Sequence, residues 1–155
     1  MDPTEFEKYQ FLRLYSIDLD TALHVFRVLK RYKRDDVRFI LLRDIAIAYA
    51  RPFSGNEGKL IPKHKLQEKH VPPTSRALHK ELLRLRNEQF AHTDLKFYNP
   101  KVARFGSKAN KWYPMSFKGY DYNALLRQID AIEQLIRAVE QSVNTEIRKC
   151  EKTFP

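Results

Sequence analysis

An arginine and a histidine carry the chemistry that this chain can offer. Arg86 and Asn87 are followed by His92 inside a leucine-rich stretch, Leu82-Leu83-Arg84-Leu85-Arg86-Asn87-Glu88-Gln89-Phe90-Ala91-His92-Thr93-Asp94. On a helix turning about 100° per residue, Leu78, Leu82, Leu83, Leu85, Gln89 and Phe90 fall within about 100° either side of Arg86, and His92 lies about 120° away. Arg86 therefore sits in the middle of an apolar stripe, with His92 at its edge. An always-charged guanidinium there is costly unless something anionic meets it, and an imidazole is the side chain that titrates near neutral pH. RNA is a substrate for which the pair suffices, because each nucleotide carries its own nucleophile. A base takes the proton of the 2′-hydroxyl, the oxygen attacks the adjacent phosphorus, and no metal-activated water is needed. His92 is the candidate general base or acid. Arg86 would hold the scissile phosphate and offset charge on its oxygens in the transition state. Asn87, about 100° further round, would orient the imidazole or the phosphate.

Other chemistries find little support. The chain has no Gly-rich phosphate loop, no paired catalytic carboxylates, no Gly-x-Ser-x-Gly and no zinc signature, so no metal and no cofactor is expected. His64, His70 and His79 have no cysteine or carboxylate at ligand spacing and read as solvent-exposed. The single cysteine, Cys150, has no internal disulfide partner and reads as an inert thiol near the end of a charged helix.

The arrangement R-N-x-x-x-x-H at Arg86, Asn87 and His92 resembles the signature of the HEPN superfamily: an Arg, usually a polar residue next, then a His after a short spacer, on the third long helix of a small α-bundle. Leu85 to Asp94 (LRNEQFAHTD) and Ala48 to Phe53 (AYARPF) look like segments of its bacterial branch, associated with abortive infection and toxin–antitoxin systems. The resemblance covers about Asp18 to Cys150. It implies a metal-independent endoribonuclease with a composite site at a homodimer interface, a toxin or antiviral defence role, and an antitoxin or nucleotidyltransferase as partner. A single motif histidine per chain poses a difficulty, since in-line transesterification benefits from both a base and an acid; a two-fold dimer would supply both. Some relatives carry a Tyr two residues after the His as a modification target; here that position is Asp94, so that regulation is not carried over. A second reading stays open beside the first. In a non-catalytic helical module binding a partner protein or nucleic acid, Arg86 would pair with Asp44 and His92 would pack or cap. Periodicity alone leans to the module, and the motif context leans to the ribonuclease.

Charge points to a polyanion. The chain has 29 Lys and Arg against 19 Asp and Glu, a net charge of +10, which favours nucleic acid over a membrane surface. From Leu95 to Tyr120 there is no carboxylate, while Lys96, Lys101, Arg104, Lys108, Lys111 and Lys118 alternate with Phe97, Tyr98, Phe105, Trp112, Tyr113, Phe117 and Tyr120. Cations for phosphates interleaved with rings for bases suit a single strand. Lys96, Lys101, Arg104, Lys108, Lys111, Trp112 and Arg51 are the candidate RNA-binding residues. Alternatively the rings pack a loop onto the bundle.

The elements that must position these residues follow from periodicity. The 155 residues suit one domain spanning 1–155. Thr4 with Glu7 predicts a capping box and a short helix from Glu5 to about Tyr15; Ser16, Asp18 and Asp20 offer caps for a first long helix ending in the basic run Lys30 to Arg34. Asp35 and Asp36 open a second helix, apolar nearly all round through Val37, Phe39, Ile40, Leu41, Leu42, Ile45, Ile47 and Ala48 and therefore central. Pro52 and the glycines after it stop that helix. A third runs from Thr74-Ser75 to about Tyr98, and a last one begins at Asp121. Residues 101–119 read as an irregular excursion containing a short hairpin between Val102–Phe105 and Lys111–Tyr113. The expected architecture is all-α: an up-and-down bundle of four to five helices with a basic-aromatic loop or short hairpin before the last helix. The acidic opening segment reads as neither signal nor transit peptide, and Val37 to Ala50 is too short and too charged to span a bilayer, so a cytoplasmic location is expected.

Overall fold

The computed structural model describes residues 2–90 and 95–154. The chain is mostly helical, with a small β-ribbon before the last helices. Helix α1 spans Pro3–Leu29 and α2 spans Asp35–Ala50. The stripe Phe11, Tyr15, Leu19, Ala22, Phe26 and Leu29, spaced three or four residues apart, is buried along α1. That unbroken stripe explains why the helix continues past Ser16, Asp18 and Asp20, where a break is expected from their capping preference. A residue that can cap does not end a helix whose inner face keeps burying side chains and contains no Gly or Pro. The capping box is also replaced: Asp2 is the N-cap, accepting from the Thr4 backbone N–H at 3.0 Å, with Pro3 in the first turn. Glu7 turns away from the helix start. Its buried carboxylate accepts the backbone N–H groups of Lys59, Leu60 and Ile61 at 2.6, 2.8 and 2.6 Å, and so fastens the loop after α2 to α1.

Helix α1 is the centre of the fold, packed on α2 and on α6, Ile129–Glu151. Polar pairs fix the α1–α6 direction as antiparallel: the Tyr9 hydroxyl donates to Glu151 at 3.0 Å, the Ser16 hydroxyl to Asn144 at 3.2 Å, and Lys30 to Glu133 at 2.6 Å. Between them α6 buries Ile132, Leu135, Ile136, Val139, Val143 and Ile147. Each such side chain contributes about 1.5–3 kcal/mol on burial. Truncating Leu19 to alanine at that seam would cost about 2–5 kcal/mol.

Helix α2 is less enclosed than its composition suggests. Leu42, Ile45, Ala46, Ala48, Tyr49 and Ala50 are buried, but no residue of the first two turns is fully buried and Ile40 is 69% exposed. The element after the loop, α3 at Arg76–Leu85, runs antiparallel to α2, since Tyr49 meets His79 and Arg43 meets Phe90. The expected single helix to Tyr98 is interrupted: Arg86–Phe90 is a π-turn, and α4 is Leu95–Tyr98. Asn99, at φ 42°, ends α4 in the left-handed region that Asn tolerates, ahead of Pro100.

The excursion at 101–119 contains the hairpin. Strands β1 (Lys101–Val102) and β4 (Met115–Ser116) pair antiparallel, as do β2 (Phe105–Gly106) and β3 (Lys111–Trp112). The two ladders share one register, joined by the Ala103 N–H donating to the Pro114 carbonyl at 3.0 Å, so they form one ribbon. Asp121 then caps α5 (Tyr122–Leu126), accepting from the Ala124 N–H at 3.0 Å, and a turn at Arg127 and Gln128 separates α5 from α6.

The expectation of exposed histidines is corrected. His79 and His70 are buried and His64 is partly buried, because each ring finds a hydroxyl on another element: Tyr49 to His79 at 2.8 Å, Ser142 to His70 at 2.9 Å and Tyr15 to His64 at 2.9 Å.

Candidate functional site

The π-turn is where the fold departs from regular helix, and it starts at Arg86. A π-turn accommodates one extra residue within the helical path, and such bulges recur at functional sites. Two packed clusters hold it. On the N-terminal side, His79, one pair of turns before Arg86 on α3, bonds Tyr49 and meets the Tyr49 and Phe53 rings edge-on at 5.9 and 4.5 Å. On the C-terminal side, Phe90 is buried against Tyr120 and Tyr122 at 6.2 and 6.1 Å, and Phe39 stacks on Tyr122 at 5.0 Å. The apolar stripe itself is present, with Leu82, Leu85 and Phe90 buried.

Between these clusters the polar groups are incompletely satisfied. Arg86 is partly buried; its Nη1 donates to Asn87 Oδ1 at 2.9 Å, while its buried Nε has no hydrogen-bond partner. Three residues on, the Gln89 side-chain Oε1 is also buried and without a partner. Among the described residues no carboxylate pairs with Arg86. Asp44, the internal partner that the binding-module reading requires, is exposed and makes no ion pair with it. Asn87 is exposed beside Arg86, so the two come together as the motif expects. His92 lies outside the described residues, as does Asp94. Gln89 is the group that sequence reasoning missed: it appeared only as a member of the stripe, and the signal available was an amide at an apolar position.

The surroundings are cationic and phenolic. Arg84 pairs with Glu88 at 2.9 Å, and Arg43 makes a long contact of 3.5 Å to the Phe90 carbonyl. Burial and the neighbouring Glu81 carboxylate push the Tyr120 phenol up to about 12, and burial also raises Tyr122, so both rings stay neutral. Burial pushes the imidazoles of His64, His70 and His79 below the usual range, which keeps them uncharged inside the fold. Among the described residues no group of three or more His, Cys, Asp or Glu gathers as a metal site, and the three histidines lie with three different partners. Burial and nearby glutamates raise the Cys150 thiol.

The RNA-binding candidates divide. Lys101, Arg104, Lys108, Lys111 and Trp112 are collected on the ribbon and are exposed. Lys96 lines a shallow groove at the ribbon's foot with Arg84, Glu88, Phe97, Asn99 and Lys118. Arg51 lies apart, engaged with α1 through Asp18. The ribbon is anchored next to the π-turn: the Lys118 N–H donates to the Tyr98 carbonyl at 2.8 Å, Phe117 meets the Tyr98 ring edge-on at 6.1 Å, and the Tyr98 hydroxyl makes a 3.4 Å contact to the Gln89 carbonyl. Among the described residues no helix is long and apolar enough to cross a membrane. No family model, no curated protein and no solved structure matches the chain.

Proposed function

We propose that the chain is a metal-independent endoribonuclease of the HEPN type, cleaving single-stranded RNA by attack of the 2′-hydroxyl. The observation that carries this reading is the guanidinium of Arg86: it sits among buried leucines, no described carboxylate pairs with it, and its Nε is buried and unpartnered. A buried donor in that state costs about 1–3 kcal/mol. A phosphodiester oxygen is an acceptor that would complete it, with Coulomb attraction added. Gln89 Oε1 is the complementary group, an orphan acceptor suited to the ribose 2′-hydroxyl. In the mechanism Arg86 binds the scissile phosphate and stabilises charge on its oxygens. Asn87 holds the guanidinium orientation, and His92 exchanges the proton with the 2′-hydroxyl or the leaving oxygen. A two-fold homodimer brings two copies of the motif together, so that one His92 acts as base and the other as acid. On this reading the helices form an up-and-down bundle, the protein works in the cytoplasm as a toxin or defence nuclease, and an antitoxin is the class of protein that restrains it.

The test uses purified wild type, Arg86→Ala and His92→Ala with end-labelled single-stranded RNA in excess EDTA. Wild type should leave 2′,3′-cyclic phosphate ends, and both variants should be inactive. Cleavage of an all-2′-deoxy strand, or undiminished cleavage by His92→Ala, would eliminate the mechanism. In the binding-module alternative Arg86 pairs with Asp44 and His92 packs or caps; Asp44 is exposed and makes no ion pair with Arg86, which favours the nuclease reading, while His92 lies outside the described residues.

A further inference from the structure

The ribbon at 101–116 is the largest group of exposed rings on the described surface, and neither the core nor the Arg86 turn uses it. Phe105 and Trp112 face each other across β2 and β3 and stack at 5.0 Å with 29° between their planes, yet remain 50% and 60% exposed. Stacking on each other leaves the outer faces of both rings to solvent. Because side chains alternate across a ribbon, Lys101 and Ser116 share the Phe105–Trp112 face, while Val102, Arg104, Lys111, Tyr113 and Met115 occupy the other. Lys101, Arg104, Lys108 and Lys111 are exposed, and no carboxylate lies between Leu95 and Tyr120.

We infer that this ribbon is an arm that binds single-stranded nucleic acid, bases stacking on Phe105 and Trp112, Lys101 meeting phosphates on the same face, and Arg104, Lys108 and Lys111 meeting those that pass around the ribbon's edge and tip. Identifying the strand as RNA rests on the function proposed above. Three observations select this occupant. First, the cations have no acidic counterpart on the arm, so packing ribbon against ribbon in a second copy would oppose like charges. Second, flat rings projecting from a narrow ribbon reach base faces only where bases are unpaired, so a duplex is a poor ligand. Third, the arm is tied through Tyr98 and Lys118 to the turn that carries Arg86, so a strand held on it is delivered beside the orphaned guanidinium.

Trp112 is the only tryptophan of the chain and therefore reports on its own occupancy. The full-length protein is titrated with a twelve-residue 2′-O-methyl oligouridine, which has no free 2′-hydroxyl and cannot be cleaved. Binding is followed by Trp112 fluorescence and, for variants, by anisotropy of a labelled strand. Trp112 should be quenched. Trp112→Ala and Phe105→Ala should each weaken binding about tenfold, from stacking worth about 1–3 kcal/mol per base. With four phosphate contacts, log affinity should fall with log salt at a slope of about −3, and Lys111→Ala should make the slope shallower by about 0.7. Thermal midpoints of the variants should match wild type, because these side chains lie outside the core. Equal competition by a duplex, wild-type affinity in Trp112→Ala, or binding without quenching would overturn the inference. Failure to bind the strand while polyglutamate binds and quenches Trp112 would overturn it in favour of an acidic protein partner. If Arg86→Ala abolishes cleavage but not quenching, the arm stands; full cleavage with an unquenched Trp112 removes the arm and leaves the proposed function.

Discussion

Replacing Arg86 by methionine should make the protein more stable and less active. The change removes the guanidinium but keeps an unbranched stem of similar helix propensity. What is lost structurally is the 2.9 Å bond from Nη1 to Asn87, a charge-assisted bond that the exposure of Asn87 to water reduces to about 0.5–1.5 kcal/mol. What is relieved is a buried Nε without an acceptor, about 1–3 kcal/mol, plus part of the desolvation of a charge with no described carboxylate partner. The difference is a net gain of about 1 kcal/mol, which for a chain of this size raises the thermal midpoint by about 2–4 °C. The cleavage rate should fall at least 10²-fold, on the order found when one donor to a developing oxyanion is removed. Gln89→Leu should follow the same pattern with a smaller activity loss, since it removes an orphan acceptor rather than a charge. The assay is paired: thermal unfolding of both variants, and cleavage of labelled RNA under the same buffer. A midpoint about 4 °C or more below wild type in Arg86→Met would show that the fold itself satisfies the guanidinium. That result would refute the reasoning that leaves it available to a phosphate.

Tyr49→Phe should lower the thermal midpoint by several degrees, because it strands the buried Nδ1 of His79, about 1–3 kcal/mol, at the contact that pins α3 to α2; an unchanged midpoint contradicts this. Acidification should destabilise the protein from near neutrality. His64, His70 and His79 have folded pKa values held down by burial, so the unfolded chain, with values of about 6.5, takes up protons first. Stability is then complete above about pH 6.5 and declines as pH falls toward the folded values, and urea midpoints that stay flat from pH 8 to pH 5 would contradict the burial. Glu7→Gln should lower the urea midpoint at pH 7 and flatten the acid limb of the profile below pH 5. Burial raises the Glu7 carboxyl, but the N–H groups of Leu60, Lys59 and Ile61 lower it by more, so its contribution is present above the unfolded value of about 4.3 and disappears as pH falls through the folded one. Gly106→Ala should weaken binding of the uncleavable strand without moving the thermal midpoint. Gly106 has φ 98° and a Cβ there would collide with the Asn110 carbonyl, so the turn of the arm must distort while the core is untouched.

Features set by short-range pattern were legible in the sequence. Asp35-Asp36 and Pro52 bracket α2, the apolar stripe from Ile132 to Ile147 marks α6, and the alternation around Val102–Phe105 and Lys111–Tyr113 places the ribbon. What escaped depends on partners distant in sequence. Ser16, Asp18 and Asp20 advertise a helix start, but the contacts of α1 with both α2 and α6 carry the helix through them. His79, His70 and His64 look solvent-facing until Tyr49, Ser142 and Tyr15 are brought beside them. Glu7 fits a capping box by spacing, yet the loop at 59–61 offers three donors against the one at a helix start. The π-turn has no short-range signature, and its shape accompanies the seating of Phe90 among Tyr120 and Tyr122, residues thirty positions on. Arg86 and Asn87 were visible as candidates, whereas Gln89 became one only through the environment of its amide.

The location of the orphaned groups gives them weight. A lone unsatisfied atom on a loose surface relaxes toward water, and its cost vanishes. Arg86 and Gln89 have less freedom, since the turn bearing them is held at one end by Tyr49, Phe53 and His79 and at the other by Phe90, Tyr120 and Tyr122. A stripe that had only to pack would place leucine at both positions, as it does at Leu82 and Leu85, and would be more stable for it. One clamped turn instead presents an unmet donor and an unmet acceptor three residues apart. A ligand that meets both would carry an acceptor, favoured if anionic, and a donor such as a hydroxyl. A ribonucleotide carries both, as a phosphate and a ribose 2′-hydroxyl; a deoxynucleotide lacks the second, and a carboxylate-bearing protein side chain supplies only the first.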